Sequence, residues 1–519
     1  MENAPEQRPS PRGERFFKSV LWSWLGVAAT LLAGFIVSPY IIRKIGHEGY
    51  GVWTLVFSLI EYYWLLDLGF RSATVKYSAH YRAIEEAEKI NEIVNTGLMY
   101  YSVVAVVVLG TTGFLAGSAG RLFQISNSYQ RVFPNLIVIV GVSWALGIVC
   151  NVFNACLEGF QRFDLSSRIW VITVGLRSIG SVLLLWLGYG LTELGVMVVA
   201  SQVLSYVLSY FSFRRIFPSG RFSFGLSKWS VIRKMVGYGI HTALASVADR
   251  LLNQSLPLLI GYFWPVAYAG YYNFSARLLQ YSSDAVSRVA AVTASNTAEL
   301  CAKGDRDAVW RLGVLVNRYC LTLFLPVTIV LIAYGRELLE VWVGAEFAVY
   351  SAPLLPVLSV ATALAIAGQI NSSAILYGLA KHPGYARALL AEAILNIAAL
   401  SVVIPRYGIL GAAWVTSALM ILNRGLYTPW LVCHELKASY GVYMRSIYTR
   451  PIAAAVPVLG LVCGLKLELP GQNWFELIAA SALAILTYFS LAFFVCLDRQ
   501  HRHLGLRWLV RHTKLGGES

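Results

Sequence analysis

Four arginines of this chain lie inside long apolar segments, at depths where a charge is costly. On insertion scales a charged side chain at the centre of a membrane span costs roughly 2.5–3.5 kcal/mol, so it needs a partner or a water-filled cavity. The planar guanidinium donates paired hydrogen bonds to carboxylate and phosphate oxygens. The sequence therefore indicates anion binding at membrane depth, and the candidate cations are Arg250, Arg277, Arg177 and Arg424.

Acidic and polar residues in the same segments allow a second interpretation. Carboxylates there would neutralise the arginines in packed ion pairs, with no ligand involved. Acidic groups and histidines in transporters also form proton relays, which makes Glu61 and His241 candidate proton carriers, although a satisfied interior polar residue explains each equally simply. The residues that could pair with cations, line a cavity or couple to an ion are Asp249, Asn253, Asp284, Glu392, His241 and Glu61.

Helical spacing sorts some of these residues onto common faces. At 100° per residue, Arg277, Asp284 and Arg288 fall within about 40° of one another. On the preceding segment, one stripe contains Thr242, Ser246, Asp249 and Asn253. Because the two segments are adjacent in sequence, we expect their polar faces to meet across a water-filled space.

Asp67 and Arg71 lie four residues apart at the end of the second apolar segment. This spacing predicts an ion pair on a helix surface. The pair would either gate a cytoplasmic mouth or simply stabilise a helix end beside Gly69.

Composition identifies a polytopic membrane protein. Hydrophobic residues make up 57% of the chain and charged residues 13%, with a mean hydropathy of +0.61. A soluble globular chain carries roughly a quarter charged residues. Segments that meet the ~20-residue length of a transmembrane helix predict an all-α fold with about 14 spans. Two of the intervals between predicted spans are tight breaks, at Gly188-Tyr189-Gly190 and Arg406-Tyr407-Gly408.

The net charge of +15 is explained by topology. With an even number of spans both termini lie on one side, and most of the 42 Lys and Arg residues fall on that side. The positive-inside rule then places both termini in the cytoplasm and removes the need for a nucleic-acid partner. The seven cysteines are scattered without CxxC spacing, and there is no Walker A or HExxH motif. We therefore expect no catalytic residue, metal or cofactor.

The chain also contains a doubled unit. Shifted by about 219 residues, Tyr50-Gly51-Val52-Trp53 falls on Ala269-Gly270-Tyr271-Tyr272. Six spans per copy give parallel pseudo-symmetric lobes, an arrangement found in transporters. The predicted division is a cytoplasmic tail (1–18), an N-lobe (19–213), an amphipathic linker helix (214–235), a C-lobe (236–432), two further spans (433–497) and a basic tail (498–519).

Two stretches carry a resemblance to a known family. The first is GHEGYGVWTLVFSLIEYYWLLDLGFRSATVKYSAHY, and the second is VADRLLNQSLPLLIGYFWPVAYAGYYNFSARLL. They resemble the Wzx-like (RfbX-type) polysaccharide and O-antigen flippases, whose MATE-like superfamily includes multidrug exporters and peptidoglycan lipid flippases. The resemblance covers the first twelve predicted spans.

The resemblance implies a function and partners. The chain would flip a polyprenyl-pyrophosphate-linked oligosaccharide across the cytoplasmic membrane by alternating access, for surface polysaccharide biosynthesis. Membrane lipids and other polysaccharide-assembly proteins would be its further partners. The pyrophosphate would bind cations at depth, with Arg250 and Arg277 first. The alternatives are an ion-coupled small-molecule or multidrug exporter of the same fold, and a membrane glycosyltransferase, polymerase or ligase, which the short predicted outer links disfavour.

Overall fold

The computed structural model describes residues 22, 25–26, 29–498 and 502. The described residues form helices and connecting turns, and no β-strand occurs among them. Long apolar segments adopt helices because a lipid-embedded backbone must satisfy its hydrogen bonds internally. Within the described part of the chain, ten stretches are long and apolar enough to cross a membrane. The predicted all-α multi-pass membrane fold is confirmed.

The helices follow one another with short connections. Their bounds are α1 (Ser38–Glu61), α2 (Phe70–Ala83), α3 (Ala87–Leu122), α4 (Val132–Gly159), α5 (Phe163–Trp186), α6 (Leu191–Ile216), α7 (Trp229–Phe263), α8 (Ala267–Lys303), α9 (Arg306–Trp342), α10 (Ala345–Tyr350), α11 (Leu354–Gly378), α12 (His382–Met420), α13 (Thr428–Leu436), α14 (Tyr440–Leu465) and α15 (Trp474–Val495). Shorter segments are π-helical at Ala33–Val37 and Ile421–Tyr427, and 3₁₀-helical at Tyr62–Asp67 and Phe224–Leu226.

Two glycines break helices where the sequence predicts a boundary between spans. Gly46 (φ 77°) lies inside α1 and Gly408 (φ 60°) inside α12, and both have non-helical backbone angles. Each of these two candidate stretches therefore contains a bend between two predicted spans. Helices α7 and α8 are not among the ten apolar stretches, and they carry the charges discussed above. The exact number of 14 spans remains a prediction.

Helix packing divides the described residues into two compact units, with the boundary between Gly270 and Tyr271. In the first unit α4 is central and packs against α2, α3 and α6. In the second unit α9 is central and packs against α11, α14 and α15. The lobes at 19–213 and 236–432 remain a prediction.

Helix α7 packs within the first unit, against α1, α2 and α3. Glycines permit the close approach. A Cβ at Gly69, whose φ is 73°, would lie 2.3 Å from the carbonyl oxygen of Gly239, and a Cβ at Gly239 would lie 2.5 Å from the carbonyl oxygen of Leu68. Because backbone atoms occupy that space, neither glycine can gain a side chain without separating the elements. The contact joins the Asp67-Leu68-Gly69 turn to α7.

The predicted amphipathic linker at 214–235 covers the end of α6 and the start of α7, and its separation from the lobes remains a prediction. Helix α6 ends at Ile216, residues 217–228 are irregular apart from the 3₁₀ turn Phe224–Leu226, and α7 begins at Trp229. The basic stretch with Arg233 and Lys234 is therefore the first part of α7. The sequence has no proline between Trp229 and Pro257, so nothing there ends the helix.

Candidate functional site

The first-unit site is built where the end of α1 meets α7. Glu61 is the last residue of α1, and its carboxylate forms an ion pair with the guanidinium of Arg250 on α7. The guanidinium carbon also lies 5.9 Å from the ring centroid of Trp64. One residue further along, the Tyr62 hydroxyl bonds the Ser255 hydroxyl at 2.5 Å. Arg250 is thus held between a carboxylate and an indole ring.

Both members of this pair remain partly exposed. The side chains of Arg250 and Glu61 keep 29% and 32% of their accessible surface. Ion pairs with this exposure contribute only about 0–1 kcal/mol to stability, and a cation on an exposed aromatic face adds about 0.5–1 kcal/mol. The guanidinium of Arg250 is therefore not fully enclosed by Glu61 and Trp64.

Asp249, the acidic residue next to Arg250 in the sequence, is not its ion-pair partner. Its neighbour Asp249 instead accepts a hydrogen bond from the Asn253 amide at 2.9 Å, and both of those residues are exposed. Successive residues of a helix point about 100° apart, so Asp249 and Arg250 face different directions. Glu61, which the sequence suggests as a proton carrier, is the partner instead.

Asp67 and Arg71 do not form the side-chain pair that their spacing predicts. The Asp67 carboxylate accepts hydrogen bonds from the Tyr101 hydroxyl and from the backbone N–H of Arg71, the latter at 3.3 Å. The Arg71 guanidinium instead bonds Glu158 on α4 at 2.6 Å. The reason is local, because Leu68 (φ 47°) and Gly69 (φ 73°) are left-handed and interrupt the helix between the two residues. Their gating role remains a prediction.

The second unit contains a more deeply buried ion pair. Glu392 on α12 is 5% exposed and accepts hydrogen bonds from Nε of Arg424 at 3.1 and 3.2 Å and from the Asn423 amide at 2.6 Å. The π-helical segment Ile421–Tyr427 presents both donors to one carboxylate, and the Tyr448 hydroxyl donates to carbonyl oxygens of that segment and its neighbour α11. This arrangement matches the internal pairing interpretation of Arg424.

An open pocket of about 630 Å³ lies beside this pair, between the first part of α12 and the π-helical segment. Glu392 and Asn423 contribute polar atoms to a lining that is otherwise mostly apolar, and Arg387 lies at its edge. The pocket has the size of a small-molecule site.

The remaining predicted residues lie on other helices or outside the described side chains. Arg177 on α5 is partly buried, and Arg277 on α8 is exposed. Asp284 is also exposed and accepts a hydrogen bond from the Gln280 amide at 2.7 Å. The side chain of His241 lies outside the described part of the structure. The substrate-binding and coupling roles of these residues remain predictions.

Several residues of these clusters are absent from the sequence predictions. Trp64, Ser255, Glu158 and Asn423 are ordinary residues in their local context, and only tertiary packing gives them a role. Among the described residues no group of three or more His, Cys, Asp or Glu side chains could hold a metal ion.

Three comparisons with known proteins bear on these sites. A family model described as "Polysaccharide biosynthesis protein" matches residues 16–293. The chain is 23% identical to the membrane protein EpsK of Bacillus subtilis (strain 168) over 506 residues, which cover 94% of this chain and 97% of EpsK. It is 21% identical to a Shigella flexneri protein whose name proposes O-antigen transport, with coverage of 80% and 97%.

Solved structures share the fold. The lipid II flippase MurJ in an inward closed conformation superposes with a TM-score of 0.69 at 13% identity, covering 93% of this chain and 98% of MurJ. An inward-facing multidrug resistance MATE family transporter of the MOP superfamily gives a TM-score of 0.66 at 15% identity, covering 81% and 98%. At these identities the likeness establishes the fold alone.

Proposed function

Because the chain belongs to the polysaccharide biosynthesis protein family, whose model matches more than half of it, we propose that it is a lipid-linked oligosaccharide flippase. It moves a polyprenyl-pyrophosphate-linked oligosaccharide across the cytoplasmic membrane by alternating access, and the product is used for surface polysaccharide. The observation that carries the proposal is this family match, together with the Shigella relative named for O-antigen transport. The MurJ-like fold is consistent with it.

Arg250 supplies the chemistry that such a substrate requires. A pyrophosphate must be held by cationic donors when it leaves water, and a guanidinium meets its oxygens with paired hydrogen bonds. Glu61 serves as the counter-ion of the empty site, which avoids an uncompensated charge in the absence of substrate. Substrate binding then exchanges one anion for another at Arg250. Arg277 and Arg177 are proposed as further substrate-binding cations, each within its own unit.

The proposed setting is the cytoplasmic membrane with both termini in the cytoplasm. The concentration of Lys and Arg in alternate loops supports this orientation through the positive-inside rule. The proposed partners are the lipid-linked oligosaccharide, surrounding lipids and other polysaccharide-assembly proteins.

A multidrug exporter of the same fold is less well supported. Exporters of cationic drugs bind a cation through acidic groups, and two of the candidate carboxylates, Glu61 and Glu392, are each paired with an arginine. The relatives named above for an activity are transporters and flippases, and none is named as an enzyme.

Deletion of the gene in its native host tests the proposed function. We expect loss of surface polysaccharide and accumulation of the lipid-linked oligosaccharide, because synthesis continues in the cytoplasm while export stops. Lipid extracts and surface glycan staining measure both quantities, and the wild-type gene on a plasmid is the control. Intact surface glycan combined with increased drug susceptibility would favour the exporter.

A further inference from the structure

A basic pocket lies at the start of α7, outside the site described above. Its volume is about 270 Å³, and its polar lining comes from α2, α3, the segment before α7 and α7 itself. We call it the lysine pocket, and its main lining residues are Tyr77, Tyr81, Lys89, Glu92, Lys228 and Lys234. Ile93 and Met235 are buried beneath it.

The segment before α7 is fixed in place by two buried asparagines on α3. The Asn95 amide donates to the carbonyl oxygen of Arg221 at 2.7 Å and accepts from the backbone N–H of Ser223 at 2.8 Å. Asn91 accepts from the backbone N–H of Arg221 at 2.9 Å. The backbone N–H of Lys228 donates to the Thr96 hydroxyl at 3.2 Å. These hydrogen bonds therefore hold in place the segment before α7, which contributes Lys228 to the pocket.

The lysine pocket carries more positive than negative charge. Lys89 and Lys228 share one carboxylate, Glu92, at 3.2 and 2.6 Å. The third lysine, Lys234, donates to the Tyr81 hydroxyl at 3.3 Å and lies 4.6 Å from the ring centroid of Tyr77. Three ammonium groups and one carboxylate leave a charge of +2 (3 − 1) among these lining residues.

In the lysine pocket, a phosphate can replace the present partners of the lysine ammonium groups. An ammonium group on an aromatic face is attracted more weakly than one that donates to an anionic oxygen. A hydroxyl has one hydrogen to donate, and Tyr81 uses its oxygen as the acceptor for Lys234, so its hydrogen is free to point at a ligand oxygen. A phosphate in the pocket would thus gain two or three ammonium donors and one hydroxyl donor.

We propose that the lysine pocket is a loading site for the phosphorylated head group of the lipid substrate. The proposal rests on the proposed function and adds a place where the substrate first binds. Positive-inside topology puts the pocket at the cytoplasmic surface, where a lipid with a cytoplasmic head group would meet it. Helix α7 then connects the pocket to the deeper site, because Arg250 follows Lys234 by 16 residues, or roughly 24 Å along the helix.

A loading site affects the rate of association more than the rate of release. Charges at the rim of a binding site steer encounter, whereas the deeper contacts set how long the ligand stays. The experiment measures association and dissociation of a fluorescent polyprenyl pyrophosphate by stopped flow, using the full chain in phosphatidylcholine nanodiscs. We expect the K89Q/K228Q/K234Q variant to lower the association rate about tenfold while changing the dissociation rate less than about twofold.

Two further variants test whether the change in association rate comes from the lysine pocket. K303Q/K381Q/K437Q removes the same charge from other lysines on the predicted cytoplasmic side, and we expect an association rate close to that of the wild type. Tyr81→Phe removes one hydroxyl without changing the charge, so we expect an association rate close to that of the wild type and normal folding.

Three outcomes would count against the proposal. An unchanged association rate in folded K89Q/K228Q/K234Q would overturn the loading site. Equal competition by phosphatidylglycerol would also overturn it, because the pocket would then be a general anchor for anionic lipids. If the wild type does not bind polyprenyl pyrophosphate at all, the proposed function itself fails, which is a different result from an unchanged rate.

Discussion

Replacing Arg250 with alanine is expected to lower transport of the lipid-linked oligosaccharide roughly 10- to 150-fold while the protein still folds and inserts. A charged hydrogen bond to the pyrophosphate contributes about 1.5–3 kcal/mol, which converts to that range of rates. The stability change should be small, because the Arg250–Glu61 pair is partly exposed. Surface glycan in cells and the amount of folded protein in membranes measure the two effects separately.

The control for this variant is Arg162→Ala. Arg162 pairs with Asp164 at 2.9 Å, and its side chain is 32% exposed, close to the 29% of Arg250. Removing it deletes a comparable ion pair in the same unit without touching the proposed site. Normal glycan in Arg162→Ala and lost glycan in Arg250→Ala would support substrate binding, whereas equal defects in the two variants would contradict it.

The Glu61→Gln variant distinguishes a role of Arg250 in substrate binding from a purely structural role of the Arg250–Glu61 ion pair. If Glu61 is only the counter-ion of the empty site, glutamine frees Arg250 and should tighten binding of polyprenyl pyrophosphate, with slower release and lower turnover. If the pair is purely structural, Glu61→Gln and Arg250→Ala should be equally defective and neither should bind more tightly.

The second large effect is expected on stability, at Arg424. Removing one partner of a buried ion pair leaves an uncompensated charge and costs about 3–5 kcal/mol. Glu392 is 5% exposed, so Arg424→Ala should lower the Tm in detergent clearly and reduce the yield of folded protein. We expect Arg250→Ala to leave the Tm nearly unchanged, because its ion pair is partly exposed. The two variants therefore compare the loss of a buried ion pair with the loss of a partly exposed one.

A double variant tests whether the uncompensated charge of Glu392 causes the lower Tm of Arg424→Ala. Glu392→Gln combined with Arg424→Met removes both charges and keeps most of the side-chain volume, so it should recover much of the Tm lost in Arg424→Ala. An Arg424→Ala protein with an unchanged Tm and no transport would contradict the structural assignment and make Arg424 a substrate contact.

The sequence predicts the architecture well because lipid imposes one strong rule. Long apolar runs must be helices, and the bends at Gly46 and Gly408 fall between runs that are each about one membrane thickness. The sequence also includes Glu392 among the carboxylates that would neutralise arginines in the apolar segments, and in the structure its partner is Arg424.

Pairing across the chain is much harder to predict. Glu61 and Arg250 are 189 residues apart, and no local spacing connects them. The Asp67–Arg71 prediction fails because helical spacing applies only within a helix, and left-handed Leu68 and Gly69 intervene. The lysine pocket depends on Asn91 and Asn95, whose side chains bind the backbone of a segment more than 120 residues away. Such contacts leave no periodic pattern in the sequence.

Reconstituted flipping tests the central claim most directly. The purified chain is placed in liposomes that carry a fluorescent lipid-linked oligosaccharide from the native host, and a membrane-impermeant reductant reports how much label reaches the outer leaflet. We predict that the wild type moves label from the inner to the outer leaflet and that Arg250→Ala moves it roughly 10- to 150-fold more slowly. A wild-type rate equal to that of empty liposomes, or an Arg250→Ala rate equal to the wild type, would contradict the account.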